Sequence, residues 1–366
     1  MAGGPLPGTM TVLNPTVEAF AMYPALPVIT VLGATGAQGG GVVRSLLCPA
    51  QQRFAVRAVT RKPASPAARA LSEAGADVVA ADLDDPHTLR RAFEGAHGVF
   101  AVTNFWEHLS PERERLQARN IADAARDAAV RHVIWSTLED TRRWVPLDDP
   151  RLPTLMGSYK VPHFDAKGAA DACFSERGLP LTRLLTSFYW DNLIHFGMGP
   201  QRGVDGALVL ALPMGDAPLP GIAGADIGAC AAALFGRGPA AIGQCVGIAG
   251  EHLTVAQMAR VLSGVLGEPV RPASPRLGDY AALPFPGAAD LANMFQFKHD
   301  FSAEYCGRRD VAATRALHPG LQDFATWAGR HAQALRTAAG CGSAAAFSAP
   351  GSARPAASAP AGSKAR

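Results

Sequence analysis

Apolar residues in this chain gather in short runs, and the segments between them have helical spacing. PVITVL (27–32) reads as a strand, and residues from Gly36 to about Leu47 read as a helix. FAVRAVT (54–60), DVVAAD (77–82), GVFAVT (98–103) and HVIWST (132–137) predict four more strands, with helices at about 67–74, 86–94 and 111–129. Strands that are apolar almost throughout, alternating with helices, imply βαβ units and a parallel sheet covered on both faces. Residues 142–162 are rich in proline and read as an irregular connection. A helix beginning at Pro162 then leads to a further strand, LTRLLT (181–186). Beyond it Gly and Pro are frequent and elements shorten, with helices expected at 224–235 and 253–267. No internal repeat is evident.

The ends differ from this body. Residues 1–26 have no periodicity, and from Thr337 onward the chain is dominated by Ala, Ser, Gly and Pro. Neither stretch can bury enough apolar area to offset the entropy of ordering, so 1–26 and 337–366 are expected to be disordered extensions. The body then divides into a sheet domain, 27–180, and a smaller region, 181–336, interleaved with it.

Composition narrows the function classes. The chain has 366 residues, 48% hydrophobic and 18% charged, with a formal net charge of +3. Arginine pairs at 90–91, 142–143 and 308–309 are scattered rather than aligned in a stripe, so nucleic-acid binding gains no electrostatic support. The six cysteines lie far apart with no C-x-x-C, which argues against a metal site and predicts mostly buried thiols in a reducing compartment. No basic segment precedes an apolar run, and no stretch approaches the roughly 20 apolar residues of a membrane span. A soluble cytoplasmic protein is expected, with the nucleus as a second location.

The strongest local motif is GATGAQG, comprising Gly33, Ala34, Thr35, Gly36, Ala37, Gln38 and Gly39, between the first strand and the first helix. One glycine permits a tight turn, the next lets the backbone approach a pyrophosphate, and the third lets helix and strand lie close. The free N–H groups of the helix start face the phosphates. The second strand ends in Thr60-Arg61-Lys62, where an NAD site would place a carboxylate for the ribose 2′-OH. A guanidinium there suits a 2′-phosphate, which favours NADP(H); the alternative is that Arg61 is a solvated loop residue. Asp82 ends the third strand, where it can border an adenine, whereas Asp85-Pro86 reads better as a helix start. Thr103, Asn104, Phe105 and Trp106 follow the fourth strand, the aromatics serving as a cofactor wall or as packing for the next helix.

Residues 163–167, HFDAK, keep the spacing of the Y-x-x-x-K pattern of short-chain dehydrogenases, with His163 in place of the tyrosine. His163 and Lys167, four apart, lie on one helical face. An imidazole beside an ammonium resists protonation, which makes it a poor acid. Ser136, at the end of the fifth strand, either partners a proton donor or caps local backbone. No metal ligand set is evident.

With LGATGAQGG, VTRKP, VTNFWE, HFDAKG and FPGAADLANMF (285–295), the chain resembles the NmrA-like family, a branch of the atypical extended short-chain dehydrogenases, over about residues 28–327. Within the family the likeness runs toward the mammalian NADPH-sensing members. The resemblance implies a Rossmann-type doubly wound parallel sheet with a smaller C-terminal α/β region. It also implies that Gly33–Gly39 hold the pyrophosphate and that Arg61, Lys62 and Ser65 surround the 2′-phosphate. Asp82 and Leu83 would border the adenine, and Thr103, Asn104 and Phe105 would line the path to the nicotinamide. Lys167 would reach the ribose, and Tyr189, Trp190, Asp191 and Asn192 would close over that end, which makes the Tyr189 phenol another candidate proton donor. Ser65 and Leu116 stand where those relatives have lysines. FPGAADLANMF reads as a lid or a packing element.

The expectation is an NADP(H)-binding redox sensor with little or no dehydrogenase activity, whose conformation or partner changes with cofactor. The alternative is an NADPH-dependent oxidoreductase acting on a small carbonyl, quinone or enone. Expected partners are NADPH, a protein governed by cofactor binding, and a second copy in a homodimer, with no nucleic acid and no membrane.

Overall fold

Seven strands, all pairing in parallel, form the central sheet of the computed structural model, which describes residues 1, 26–49, 53–203 and 205–340. The first half alternates as β1 (Val28–Val31), α1 (Ala37–Leu46), β2 (Ala55–Thr60), α2 (Pro66–Glu73), β3 (Asp77–Ala80), α3 (Pro86–Phe93), β4 (Ala96–Ala101), α4 (Pro111–Asp127), β5 (His132–Thr137), α5 (Pro162–Ser175) and β6 (Leu181–Leu185). A short 3-10 turn, Phe105–Glu107, sits between β4 and α4.

The second half contains β7 (Phe188–Tyr189), α6 (Asn192–His195), β8 (Gln201–Arg202), β9 (Leu208–Ala211), β10 (Leu219–Ile222), α7 (Gly224–Arg237), β11 (Cys245–Gly247), β12 (Glu251–Leu253), α8 (Val255–Leu266) and β13 (Val270–Ala273). It ends with α9 (Leu277–Ala281), α10 (Ala288–Asp300), α11 (Ser302–Gly307), α12 (Val311–Leu317), α13 (Phe324–Arg330) and α14 (Ala332–Gly340). Two three-stranded sheets, β12-β10-β7 and β13-β9-β8, belong to this smaller region.

The large sheet has the order β11-β6-β5-β4-β1-β2-β3. Order reverses at β1, so the carboxyl ends of β1 and its neighbours open the crevice where such sheets bind ligands. This is the α/β class predicted from the sequence. The seventh strand, β11, was not anticipated, because three residues carry too little periodicity to register. It comes from the C-terminal half and completes the sheet beside β6.

Local sequence explains the helix starts. Ser65, Asp85 and Ser110 each accept a backbone N–H at the start of α2, α3 and α4, and each is followed by proline at the first helical position. The run Gly39-Gly40-Gly41 in α1 looks costly for a helix, but it permits close packing. A Cβ on Gly228 of α7 would lie 2.1 Å from the Gly41 carbonyl carbon, so the two helices touch through bare backbone.

Two apolar clusters cover the faces of the sheet, and a third fills the smaller region. FPGAADLANMF turns out to be a packing element. Most of it forms α10, with Leu291, Met294 and Phe295 buried in the third cluster. Helix α14 continues past Thr337, because Leu335 and Ala339 are buried against the same cluster. Residues 2–25 and 341–366, with the expected extensions and Cys341, lie outside the described residues. Cys173 and Cys230 are buried and Cys306 is half-buried. Cys48 and Cys245 are exposed, contrary to the expectation of mostly buried thiols, since one follows the end of α1 and the other lies on an edge strand. Among the described residues no helix is long and apolar enough to cross a membrane.

Candidate functional site

The glycine turn sits at the carboxyl end of β1. Gly33 adopts φ +61°, a conformation strained for any residue with a side chain, and its carbonyl accepts the Gly36 N–H at 2.8 Å. Gly39 is required by packing, since a Cβ there would lie 2.3 Å from the Gly33 oxygen. Ala34 is buried, whereas Thr35, Gly36 and Ala37 are exposed and form an open rim. No side chain caps α1 and its first turn has no acidic residue, unlike α4, which begins with Glu112 and Glu114. An uncapped helix start with a bare, exposed backbone fits an anionic pyrophosphate.

Beyond β2, Arg61 is held in a fork by Glu107 of the 3-10 turn, with its Nη2 3.0 Å from Oε2 and its Nη1 on Oε1. Hydrogen bonding to Glu107 holds the guanidinium pKa above its ordinary value. Ser65 Oγ accepts the Ala68 N–H at 3.2 Å and caps α2, which leaves its own O–H free to donate. Lys62 is exposed. The Asp82 carboxylate accepts the Asp84 N–H, and Asp85 caps α3 as the sequence predicted. The Leu83 carbonyl accepts the Asn120 amide at 2.9 Å. Asp84 pairs with Arg113 of α4 and accepts from Gln117, which ties the β3 and β4 connections together.

Lys167 and His163 share a helix but face different partners. The Lys167 ammonium donates to the Thr103 carbonyl at 3.0 Å and the Thr103 hydroxyl at 2.6 Å, and lies 2.7 Å from Glu114 Oε1. Its three protons therefore have partners within the protein, and a ribose would have to exchange with one of them. Glu114 is fully buried. Burial alone would raise its carboxyl pKa, but the Lys167 charge and hydrogen bonds from its neighbours outweigh that and hold it at about 2. His108 Nε2 lies 3.4 Å from the other Glu114 oxygen, without hydrogen-bond alignment.

The expected repulsion between Lys167 and His163 is not the governing contact. His163 Nδ1 lies 2.7 Å from Asp290 Oδ1, and the His163 backbone N–H donates to Asp290 Oδ2 at 3.1 Å. The ring is buried, with Trp106 4.7 Å and Phe164 4.8 Å away between centroids, and Phe105 also packs against it. Phe105 is itself buried. Asn104 precedes it at the start of the 3-10 turn.

Tyr189 has different surroundings. Ser136 donates to Gln38 Oε1 at 2.8 Å, and Gln38 Nε2 donates to the Tyr189 hydroxyl at 2.5 Å. Thr186 Oγ1 lies 3.2 Å from the same hydroxyl. Burial pushes the phenol pKa up, against the lowering effect of these hydrogen bonds. The phenol is thus protonated at neutral pH and is tied to the glycine turn through Gln38. Its neighbours serve other ends. Trp190 is buried against Phe324 and Trp327, with centroids at 5.3 and 5.9 Å. Asp191 accepts the Gly224 N–H at 2.7 Å and so holds the start of α7. Asn192 begins α6.

Glu107, Glu114 and Asp290 were missed in the sequence. Their only local signal was an acidic residue near a helix start, which is common and structurally neutral. Among the described residues no group of three or more His, Cys, Asp or Glu is placed to hold a metal ion.

Comparison with known proteins agrees with this fold. An NmrA-like family domain-containing oxidoreductase of Penicillium ochrochloron, ptmS, is 28% identical over 308 residues, covering 76% of this chain and 86% of that protein. A similarly described oxidoreductase of Aspergillus versicolor, notA', is 42% identical over 118 residues, covering 31% of this chain and 32% of that protein. The strongest local matches thus span only about a third of those relatives' length. These relatives are fungal oxidoreductases rather than mammalian NADPH-sensing proteins. Among solved structures, Nmra, a negative transcriptional regulator, superposes with a TM-score of 0.71 at 21% identity, covering 87% of this chain and 99% of that one. The Escherichia coli NADPH-dependent quinone oxidoreductase QOR2, complexed with NADPH, gives 0.62 at 23% identity, covering 83% and 99%. At these identities the structures attest the fold. The NmrA-like family matches residues 27–328, so the chain belongs to the NmrA-like family.

Proposed function

We propose that this protein is an NADPH-dependent oxidoreductase acting on a small carbonyl, quinone or enone. The observation that carries the reading is the Ser136–Gln38–Tyr189 chain, which holds a protonated phenol beside the glycine turn. The turn and the uncapped start of α1 would bind the pyrophosphate, and Arg61 with Lys62 would bind the 2′-phosphate. When bound, the reduced nicotinamide supplies hydride. Reduction of a carbonyl also needs a proton at the developing alkoxide, and Tyr189 supplies it. Gln38 Nε2 donates to the phenol oxygen and stabilises the phenolate left behind, while Ser136 fixes the Gln38 amide. Named relatives described as oxidoreductases, and a structural neighbour described as an NADPH-dependent quinone oxidoreductase, support this reading.

The test is a screen of quinones, enones and aldehydes that follows NADPH consumption, run on the wild type and Tyr189→Phe. Turnover of one class by the wild type and its loss in the variant supports the proposal. Absence of turnover across all classes refutes it.

A second reading, a cofactor-dependent regulatory protein, is favoured by one observation. His163 replaces the tyrosine of the Y-x-x-x-K pattern and is held by Asp290, while Lys167 is held by Glu114. That machinery does not assemble in its usual form. An NADPH-induced change in sedimentation that NADP⁺ does not produce would support this reading.

A further inference from the structure

The ion pair between Arg61 and Glu107 joins the loops after β2 and β4, and these two strands flank β1 on either side. The pair therefore spans the carboxyl end of β1, above the glycine turn. Glu107 takes both terminal nitrogens of the guanidinium, one carboxylate oxygen to each. A 2′-phosphate commonly takes two parallel guanidinium donors in the same way. Carboxylate and phosphate cannot both occupy the fork, and both are anions, so each disfavours the other. Asp82 adds a second negative charge near Arg61, and Arg113, a cation also near it, is already paired with Asp84. A cofactor with a free 2′-OH makes no demand on the fork and leaves the pair intact.

We propose that Glu107 sets the balance between NADPH and NADH by occupying the terminal guanidinium fork that a 2′-phosphate would otherwise take. The proposal rests on the reading of the glycine turn as a dinucleotide site. Glu107 is a specificity-determining residue that acts through Arg61, as an internal competitor of the phosphate. The competition is limited in size, because both side chains are partly solvated, Arg61 at 49% and Glu107 at 31% exposure. It shifts preference without closing the site to either cofactor.

The experiment is a calorimetric titration of NADPH and NADH into the wild type, Glu107→Gln, Arg61→Ala and the double variant. Glu107→Gln is expected to tighten NADPH binding by roughly three- to tenfold and to change NADH binding by less than about twofold. The gain is expected to disappear in the Arg61→Ala background, because the fork is then gone. NADH binding serves as the folding control for every variant. Equal shifts for both cofactors, weaker NADPH binding in Glu107→Gln, or a gain that survives without Arg61 would each overturn the role of Glu107 while leaving the dinucleotide site standing. A wild type that binds neither cofactor overturns the site reading, and Glu107's role falls with it.

Discussion

Lys167 and Glu114 form a buried ion pair, with Nζ 2.7 Å from Oε1 and the carboxylate wholly removed from solvent. The pair fixes the lysine expected to meet a ribose. It also makes folding acid-sensitive. The folded-state pKa of Glu114, about 2, lies below its ordinary value of 4.5, so its contribution is fully present above about pH 4.5 and is lost as pH falls toward 2. Linkage over that interval is worth roughly 3 kcal/mol. Glu114→Gln should therefore lower stability at pH 7 and flatten the acid limb of a urea-midpoint profile between pH 4.5 and 2. A limb as steep as in the wild type would count against the pair.

A second buried pair supports Tyr189 from behind. Arg309 donates to Glu139 through two hydrogen bonds of 2.7 and 2.9 Å, and its Nε holds the Thr186 carbonyl at 2.9 Å. Arg309→Met leaves the buried Glu139 charge with only the Arg308 guanidinium, 4.0 Å away, at an expected cost of up to about 3–5 kcal/mol. Adding Glu139→Leu should recover much of that loss. Chemical denaturation of the three variants measures both numbers, and additive losses would contradict the pairing.

Asp290 holds His163 at two atoms from a helix far along the chain. Asp290→Ala strands a buried backbone N–H and a ring nitrogen, and should cost about 2–3 kcal/mol in urea unfolding. A loss below about 0.5 kcal/mol, the range of ordinary surface substitutions, would show that the contact is not formed in solution.

Tyr189 and His163 make separable predictions. If Tyr189 is the proton donor, Tyr189→Phe lowers kcat by roughly 10²–10⁴-fold and leaves NADPH affinity nearly unchanged. His163→Ala should act on stability more than on kcat, because the imidazole is buried among Phe105, Trp106 and Phe164. The reverse pattern, a large kcat loss in His163→Ala alone, would return the acid role to the histidine.

The sequence makes the first six sheet strands, the glycine turn and the helix starts at Asp85 and Pro162 legible, because each is written in a period or a local residue preference. It says less where partners are distant. Glu107 meets Arg61 across 46 positions and Asp290 meets His163 across 127, and nothing near either residue marks the encounter. Proximity in sequence also misleads. Trp190 and Asp191 follow Tyr189 directly, yet one is core and the other anchors α7, because β7 is only two residues long and the chain turns away from the site at once. Ser65 lies in the loop expected to meet a phosphate but ends it as a helix cap.

Both readings of the function depend on a dinucleotide bound at the glycine turn and the start of α1. The direct measurement is a calorimetric titration of NADPH into the wild type and Gly36→Asp, with far-UV circular dichroism on both. Gly36 is exposed at φ −93° and ψ 179°, a conformation aspartate adopts with the Gly33 oxygen, 3.2 Å from the new Cβ, giving by a few tenths of an ångström, and the new carboxylate would cap α1 and occupy the place of the pyrophosphate. Saturable binding by the wild type and none by the variant, with unchanged spectra, is the expected result. A wild type that does not bind, or a variant that binds as well, would contradict it.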